Sequence, residues 1–195
     1  MQQRDDLHTL PGNLPVPTDD GACDHLPGTN LPSIKLNSTG GQPIDLAHLR
    51  GRTVVYVYPR TGRPDQPGSV AWDAIPGARG CTPQSCGFRD HAAELRAAGA
   101  SAIFGLSTQT TEYQREVVER LHLPFPLLSD SRLALTRALR LPTFEFEPYE
   151  SESSTHLKRM ALVIRDGRIE KVFYPVFPPD RNAADVMEWL GTNPM

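Results

Sequence analysis

Cysteine is scarce in this chain: three residues in 195, at positions 23, 81 and 86. So small and odd a number argues against a framework of structural disulfides. Net charge is only −3, so the strong positive field that favours nucleic acid is missing. No apolar run approaches the roughly 20 residues of a membrane span. Residues 1–6 hold two acids and one base with no apolar stretch behind them, so no secretory signal is expected. These absences point to a cytoplasmic protein with neither nucleic acid nor membrane as partner. In that compartment paired cysteines suggest redox catalysis or metal binding rather than a permanent crosslink.

Proline, by contrast, is abundant at 19 residues, concentrated before residue 34, between Pro59 and Pro83, and around Pro175 to Pro179. Residues 1–30 mix proline, glycine and aspartate without hydrophobic periodicity, which predicts an irregular N-terminal extension draped over a domain spanning 31–195. A short strand is expected over 31–36 and a helical turn over 45–49. Val54-Val55-Tyr56-Val57-Tyr58 is a continuous β-branched and aromatic run, the mark of a strand buried on both faces. Pro59 ends it. Residues 60–80 then form an expanded Gly/Pro-rich loop, of a length that in compact domains usually signals function.

A helix is predicted over 83–98, closed by Gly99, and a second buried strand over 101–106. Thr110 or Thr111 caps a helix running to 121, with Glu112 in its first turn. A third strand is expected over 124–128, and a helix capped by Asp130 runs to 139. Residues 145–155 read as an acidic surface loop. Strands over 160–164 and 169–174 meet at Asp166-Gly167, a hairpin signal. The last helix starts at Asp180, with Ala183, Val186, Met187 and Leu190 on one face. This order of elements predicts an α/β domain with a central mixed β-sheet flanked by helices.

Two of the three cysteines fall in Gly80-Cys81-Thr82-Pro83-Gln84-Ser85-Cys86-Gly87-Phe88-Arg89-Asp90. Pro83 suits a first helical turn, and Phe88, His91, Ala92 and Leu95 recur at helical spacing. A cysteine at a helix start meets unpaired N–H groups and the positive end of the helix dipole, both of which favour the nucleophilic thiolate. Cys81 therefore reads as an activated thiol and Cys86 as a second thiol close by. In an intact helix, residues i and i+5 stand roughly 8–9 Å apart at Cα, beyond the limit of about 7 Å for a disulfide. A bond between them requires the first turns to unwind, which predicts a bond made and broken within a reaction cycle. The turn also follows the C-terminal end of a central strand, where open α/β sheets place their sites.

The segment from Cys81 to Asp90 resembles the active-site segment of peroxiredoxins, and within them the bacterioferritin comigratory protein or peroxiredoxin Q group. The likeness continues in order at Tyr58-Pro59, Gly105-Leu106-Ser107-Thr108, Leu123-Pro124-Phe125-Pro126-Leu127-Leu128-Ser129-Asp130, and Arg159 followed by Met160-Ala161-Leu162-Val163-Ile164-Arg165-Asp166-Gly167. The resemblance implies a thioredoxin-like fold and a thiol peroxidase that needs no metal and no organic cofactor. By position it makes Cys81 the peroxidatic cysteine, oxidised by hydrogen peroxide or an organic hydroperoxide to a sulfenic acid. Cys86 becomes the resolving cysteine that closes an intramolecular disulfide, and thioredoxin or a similar dithiol would restore both thiols. Arg159 would sit against Cys81 and bind peroxide oxygens, since its guanidinium stays charged and offers several fixed donors. Members of this group are often monomeric, and a monomer is the expectation here.

One departure stands out. The family has Pro, three residues, Thr, two residues and Cys; here Ala78 stands three before Cys81, and Pro59 lies 22 residues upstream. Thr61, presented by the folded-back loop, is one candidate to supply the missing hydroxyl; backbone N–H groups at Gly80 and Cys81 are the other. Gln84 is a candidate to hold Arg159. Cys23, in the extension, is either an incidental thiol or a second partner for Cys81. A zinc site is the first competing reading, disfavoured because the cysteine spacing and the scattered histidines lack a ligand pattern. A dithiol oxidoreductase of the thioredoxin type is the second, disfavoured because the C-x-x-C motif is absent, and the third is a non-enzymatic redox sensor or binding module whose disulfide switches the loop and the N-terminal arm.

Overall fold

The computed structural model describes residues 7–65, 69–147 and 154–194. Seven strands form one mixed sheet in the order β2-β1-β5-β4-β3-β8-β9. These are β1 (Lys35–Ser38), β2 (Ile44–Asp45), β3 (Arg52–Val57), β4 (Ala100–Ser107), β5 (Leu127–Ser129), β8 (Met160–Arg165) and β9 (Arg168–Phe173). At the centre β3 pairs in parallel with β4 and antiparallel with β8. Every residue of β3 is buried, as its unbroken apolar run requires.

Alternate residues of β3 serve two cores. Val54 and Tyr56 face one layer, with Phe88 of α2 (Cys81–Asp90), Leu95 of α3 (Ala92–Ala97), Val117 of α4 (Thr111–Leu121) and Val186 of α6 (Asn182–Thr192). Val55 and Val57 face the other, with Leu135 and Leu139 of α5 (Ala134–Leu139) and with Cys23, Leu26 and Leu31 from the N-terminal stretch. Each such side chain contributes about 1.5–3 kcal/mol by leaving water. Residues 7–30 hold no helix or extended strand, yet Leu26 is fully buried.

Several boundaries differ from expectation for local reasons. The first strand begins at Lys35 rather than residue 31; before Pro32, Asn30 makes only an isolated bridge to Arg168. The third strand starts at Leu127, because Pro124 and Pro126 cannot donate to a ladder. The long helix begins at Cys81 itself and is two helices, parted where His91 leaves helical dihedrals at φ −99°, ψ 13°. A 3-10 turn, Pro179–Arg181, precedes the last helix. Thr110 caps α4 by accepting from the Tyr113 N–H. Asp166 and Gly167 both take positive φ, 49° and 79°, as a two-residue hairpin turn requires.

The expanded loop is partly built. It carries α1 (Val70–Asp73), capped by Ser69. Trp72 of α1 packs against Phe144, Phe146 and His156, with ring centroids 5.1–5.7 Å apart. These rings belong to or adjoin a small hairpin, β6 (Thr143–Glu145) with β7 (Thr155–Leu157). That hairpin closes the stretch expected as an acidic surface loop, whose centre lies outside the described residues.

Candidate active site

Cys81 is the first residue of α2, at the end of the loop that follows β3. Its N-cap, Gly80, has φ 104°, and a Cβ there would collide with Pro179 and Leu10. Glycine is thus required by conformation and by close approach. Cys81 is only 3% exposed. Three groups meet its Sγ: Arg159 Nη2 donates at 3.2 Å, the Arg60 N–H donates at 3.4 Å, and the thiol points at the Ala78 carbonyl at 3.6 Å. Arg60 and Ala78 stand near opposite ends of the expanded loop. Both ends of the loop therefore return to the same sulfur.

Arg159, one residue before β8, is 3% exposed and spends its whole fork on this corner. Nε donates to the Gly77 carbonyl at 3.1 Å; Nη2 donates to the carbonyls of Ala78 at 3.0 Å and Arg79 at 3.2 Å, besides Cys81. Nη1 donates to Gln84 Oε1. Gln84, fully buried, in turn donates from Nε2 to Asn182 Oδ1 at 2.9 Å, tying the first turn of α2 to the start of α6. A guanidinium is suited to this because five donors in one plane can serve several acceptors at once.

Thr61 lies beside this corner but is committed elsewhere. Its hydroxyl donates to Gln109 Oε1 at 3.0 Å, and its carbonyl accepts from Tyr113 Oη at 2.8 Å. The sulfur receives the N–H of the neighbouring Arg60 in place of a threonine hydroxyl. Sequence reasoning missed Arg60 because its contribution is a backbone group, which no side-chain pattern reveals. It missed Gln109 although that residue directly follows the Gly105-to-Thr108 turn, and Asn182 because its role depends on where α6 docks.

Cys86, one and a half turns into α2, is half-buried where Cys81 is buried; both are free thiols. Burial pushes its pKa up, against the opposing pull of Arg89. Both cysteines are helical, so their bonding requires α2 to unwind at its start. Cys23 sits on the opposite face of the sheet, in the core that holds Val55 and Val57, with its thiol 4.0 Å from Met160 Sδ. The sheet stands between it and Cys81, which belongs to the other core. A second route from Cys23 to Cys81 is therefore closed in this fold. Among the described residues no three His, Cys, Asp or Glu side chains are grouped to hold a metal, and no helix is long and apolar enough to cross a membrane.

A family model described as Redoxin matches residues 26–187. The chloroplastic peroxiredoxin Q of Sedum lineare is 26% identical over 164 residues, covering 84% of this chain and 76% of that protein. Peroxiredoxin Bcp of Escherichia coli strain K12 is 28% identical over 165 residues, covering 84% and 94%. Among solved structures, peroxidoxin BcpB of Mycobacterium tuberculosis gives a TM-score of 0.66 at 23% identity, covering 88% of this chain and all of that one. Peroxiredoxin Q of Xanthomonas campestris gives 0.61 at 22% identity, covering 92% and 98%. At these identities the structural likeness establishes the fold.

Proposed function

The chain belongs to the redoxin family and is a peroxiredoxin, and we propose that Cys81 is its peroxidatic cysteine, Cys86 its resolving cysteine and Arg159 the group that orients both thiolate and peroxide. The observation that carries this reading is the 3.2 Å contact from Arg159 to a nearly buried sulfur at a helix start. A charge-assisted donor of this kind stabilises an anion far better than a neutral one. The Arg60 N–H adds a second donor.

In the first step the Cys81 thiolate attacks the terminal oxygen of hydrogen peroxide or an organic hydroperoxide. The O–O bond breaks, sulfur gains oxygen as a sulfenic acid, and the hydroxide or alkoxide released takes up the proton that the Cys81 thiol gave up, leaving as water or an alcohol. Donors aimed at the two oxygens stabilise the charge as it moves from sulfur to the leaving oxygen. In the second step α2 unwinds, the Cys86 sulfur displaces the sulfenic hydroxyl, and a Cys81–Cys86 disulfide forms with release of water. Thioredoxin or a similar dithiol then reduces the disulfide by exchange. Gln84 holds the Arg159 fork in place, and Gly80 permits the close approach of Pro179 and Leu10 at the residue before Cys81. Thr61 acts through Gln109 as a support of the loop rather than as a donor to peroxide. Both thiols stand in one helix, so the cycle needs no second subunit and a monomer suffices. A cytoplasmic setting suits it, since reducing systems there return disulfides to thiols.

The test is the mass of reduced protein after one equivalent of hydrogen peroxide, with free thiols alkylated and peptides mapped. A loss of about two mass units with Cys81 joined to Cys86 is the expected result. Persistent alkylation of both cysteines, with no sulfenic acid trapped at Cys81, would sink the assignment and favour a sensor or binding role.

A further inference from the structure

Residues 7–25 precede the stretch that matches the redoxin family, and the cycle above makes no use of them. They are nevertheless held against the site. Leu7 lies 3.1 Å from the point a Cβ on Gly62 would occupy, and Leu10 lies 2.8 Å from the corresponding point on Gly80. Between these two anchors His8 brings its Nδ1 to 3.9 Å from Cys86 Sγ. In the tautomer that carries its proton on Nε2, that nitrogen accepts from the thiol.

A resolving thiol must lose its proton, because the thiolate is the attacking species. At Cys86 burial opposes that loss, with Asp90 acting in the same sense and Arg89 and Arg120 acting against it. None of these neighbours can take the proton well. The two guanidiniums have no acceptor, and the Asp90 carboxylate already accepts from Arg89 Nε at 2.8 Å. The imidazole of His8 is the group in contact with the sulfur whose chemistry suits a base near neutral pH.

We propose that His8 is the general base of the resolving step, and that the N-terminal arm is a catalytic segment added to the redoxin module. The proposal rests on the assignment of Cys86 as the resolving thiol. His8 Nδ1 takes the Cys86 proton, and the freed sulfur forms the S–S bond with Cys81 as the S–O bond of the sulfenic acid breaks. The departing hydroxide takes the proton back from the imidazolium and leaves as water, so the base is regenerated. Arg89 steadies the thiolate in between. The anchors at Leu7 and Leu10 keep the imidazole beside Cys86 until α2 opens.

The test uses full-length reduced protein, mixed with stoichiometric hydrogen peroxide and quenched at intervals by alkylation. Mass spectrometry then resolves sulfenic acid at Cys81 from the Cys81–Cys86 disulfide. His8→Gln is compared with wild type by the ratio of the disulfide-forming rate to the sulfenate-forming rate in the same time course. The expected result is a ratio lower by roughly 10-fold or more, restored by free imidazole in proportion to its neutral form. A ratio equal to wild type, or a loss that imidazole does not repair, overturns the proposal. Wild-type protein that oxidises at Cys81 but forms no bond to Cys86 overturns the assignment of Cys86 itself, and this proposal with it.

Discussion

Replacing Arg159 by methionine keeps an apolar stem of similar reach and removes the guanidinium. The fork donates to the carbonyls of Gly77, Ala78 and Arg79, to Gln84 Oε1 and to Cys81 Sγ. A hydrogen bond to a charged group contributes about 1.5–3 kcal/mol. If the whole of it is felt where charge leaves sulfur, the peroxide step slows by roughly 10- to 150-fold at about 1.4 kcal/mol per decade. Three carbonyls, that of Ala78 buried and those of Gly77 and Arg79 half-buried, also lose a donor, at about 1 kcal/mol each, so the melting temperature should fall by roughly 6–12 °C. Arg159→Lys keeps the charge but not the planar fork, and should fall between wild type and Arg159→Met on both scales. The assay is single-turnover stopped flow for the rate constant with peroxide, alongside calorimetry. A folded Arg159→Met protein that reacts within about twofold of wild type would refute the role given to this side chain.

Three further expectations follow from the same geometry. Thr61→Val removes a hydroxyl bonded to Gln109 and not to sulfur, so it should cost about 1 kcal/mol in denaturant titration while changing the peroxide rate constant less than about threefold; a loss near that of Arg159→Met would show that the hydroxyl serves the peroxide. Cys86→Ser should abolish turnover linked to a dithiol reductant and leave sulfenic acid trapped at Cys81, whereas Cys23→Ser should turn over normally; retained recycling in Cys86→Ser would mean that another thiol reaches Cys81. Burial first, then the carboxylate of Asp20, pushes the Cys23 thiol from near 9 up to about 12. The folded state keeps this proton where the unfolded chain releases it, so stability is full below about pH 9 and declines toward pH 12 by up to about 1.4 kcal/mol per pH unit. Cys23→Ala should flatten part of that decline, the remainder coming from Cys86, Tyr56, Tyr58 and Tyr174, whose acidic protons are also held more tightly through burial; an unaltered slope would refute the assignment.

The residue pattern alone determined the central strand, a helix at the cysteine segment, though neither its start at Cys81 nor its break at His91, and the hairpin at Asp166-Gly167. Each is a local matter: an unbroken β-branched run, a proline in a first turn with apolar residues at helical spacing, and two residues suited to positive φ. It also marked Cys81 and Cys86 as two thiols close together, while Arg159 and Gln84 came from the resemblance to peroxiredoxins. What the pattern could not decide was which distant groups share a point in space. The Arg60 N–H and the Ala78 carbonyl meet at one sulfur only because the expanded loop closes on itself, with Trp72 seated on the β6–β7 hairpin. The sequence leaves Cys23 open as a second partner for Cys81, but the sheet sets the two on opposite faces. Thr61 offers a hydroxyl in the right part of the chain, yet Gln109 claims it. Local propensities fix elements within a few residues; long-range packing fixes partners, and the chemistry at Cys81 is a matter of partners.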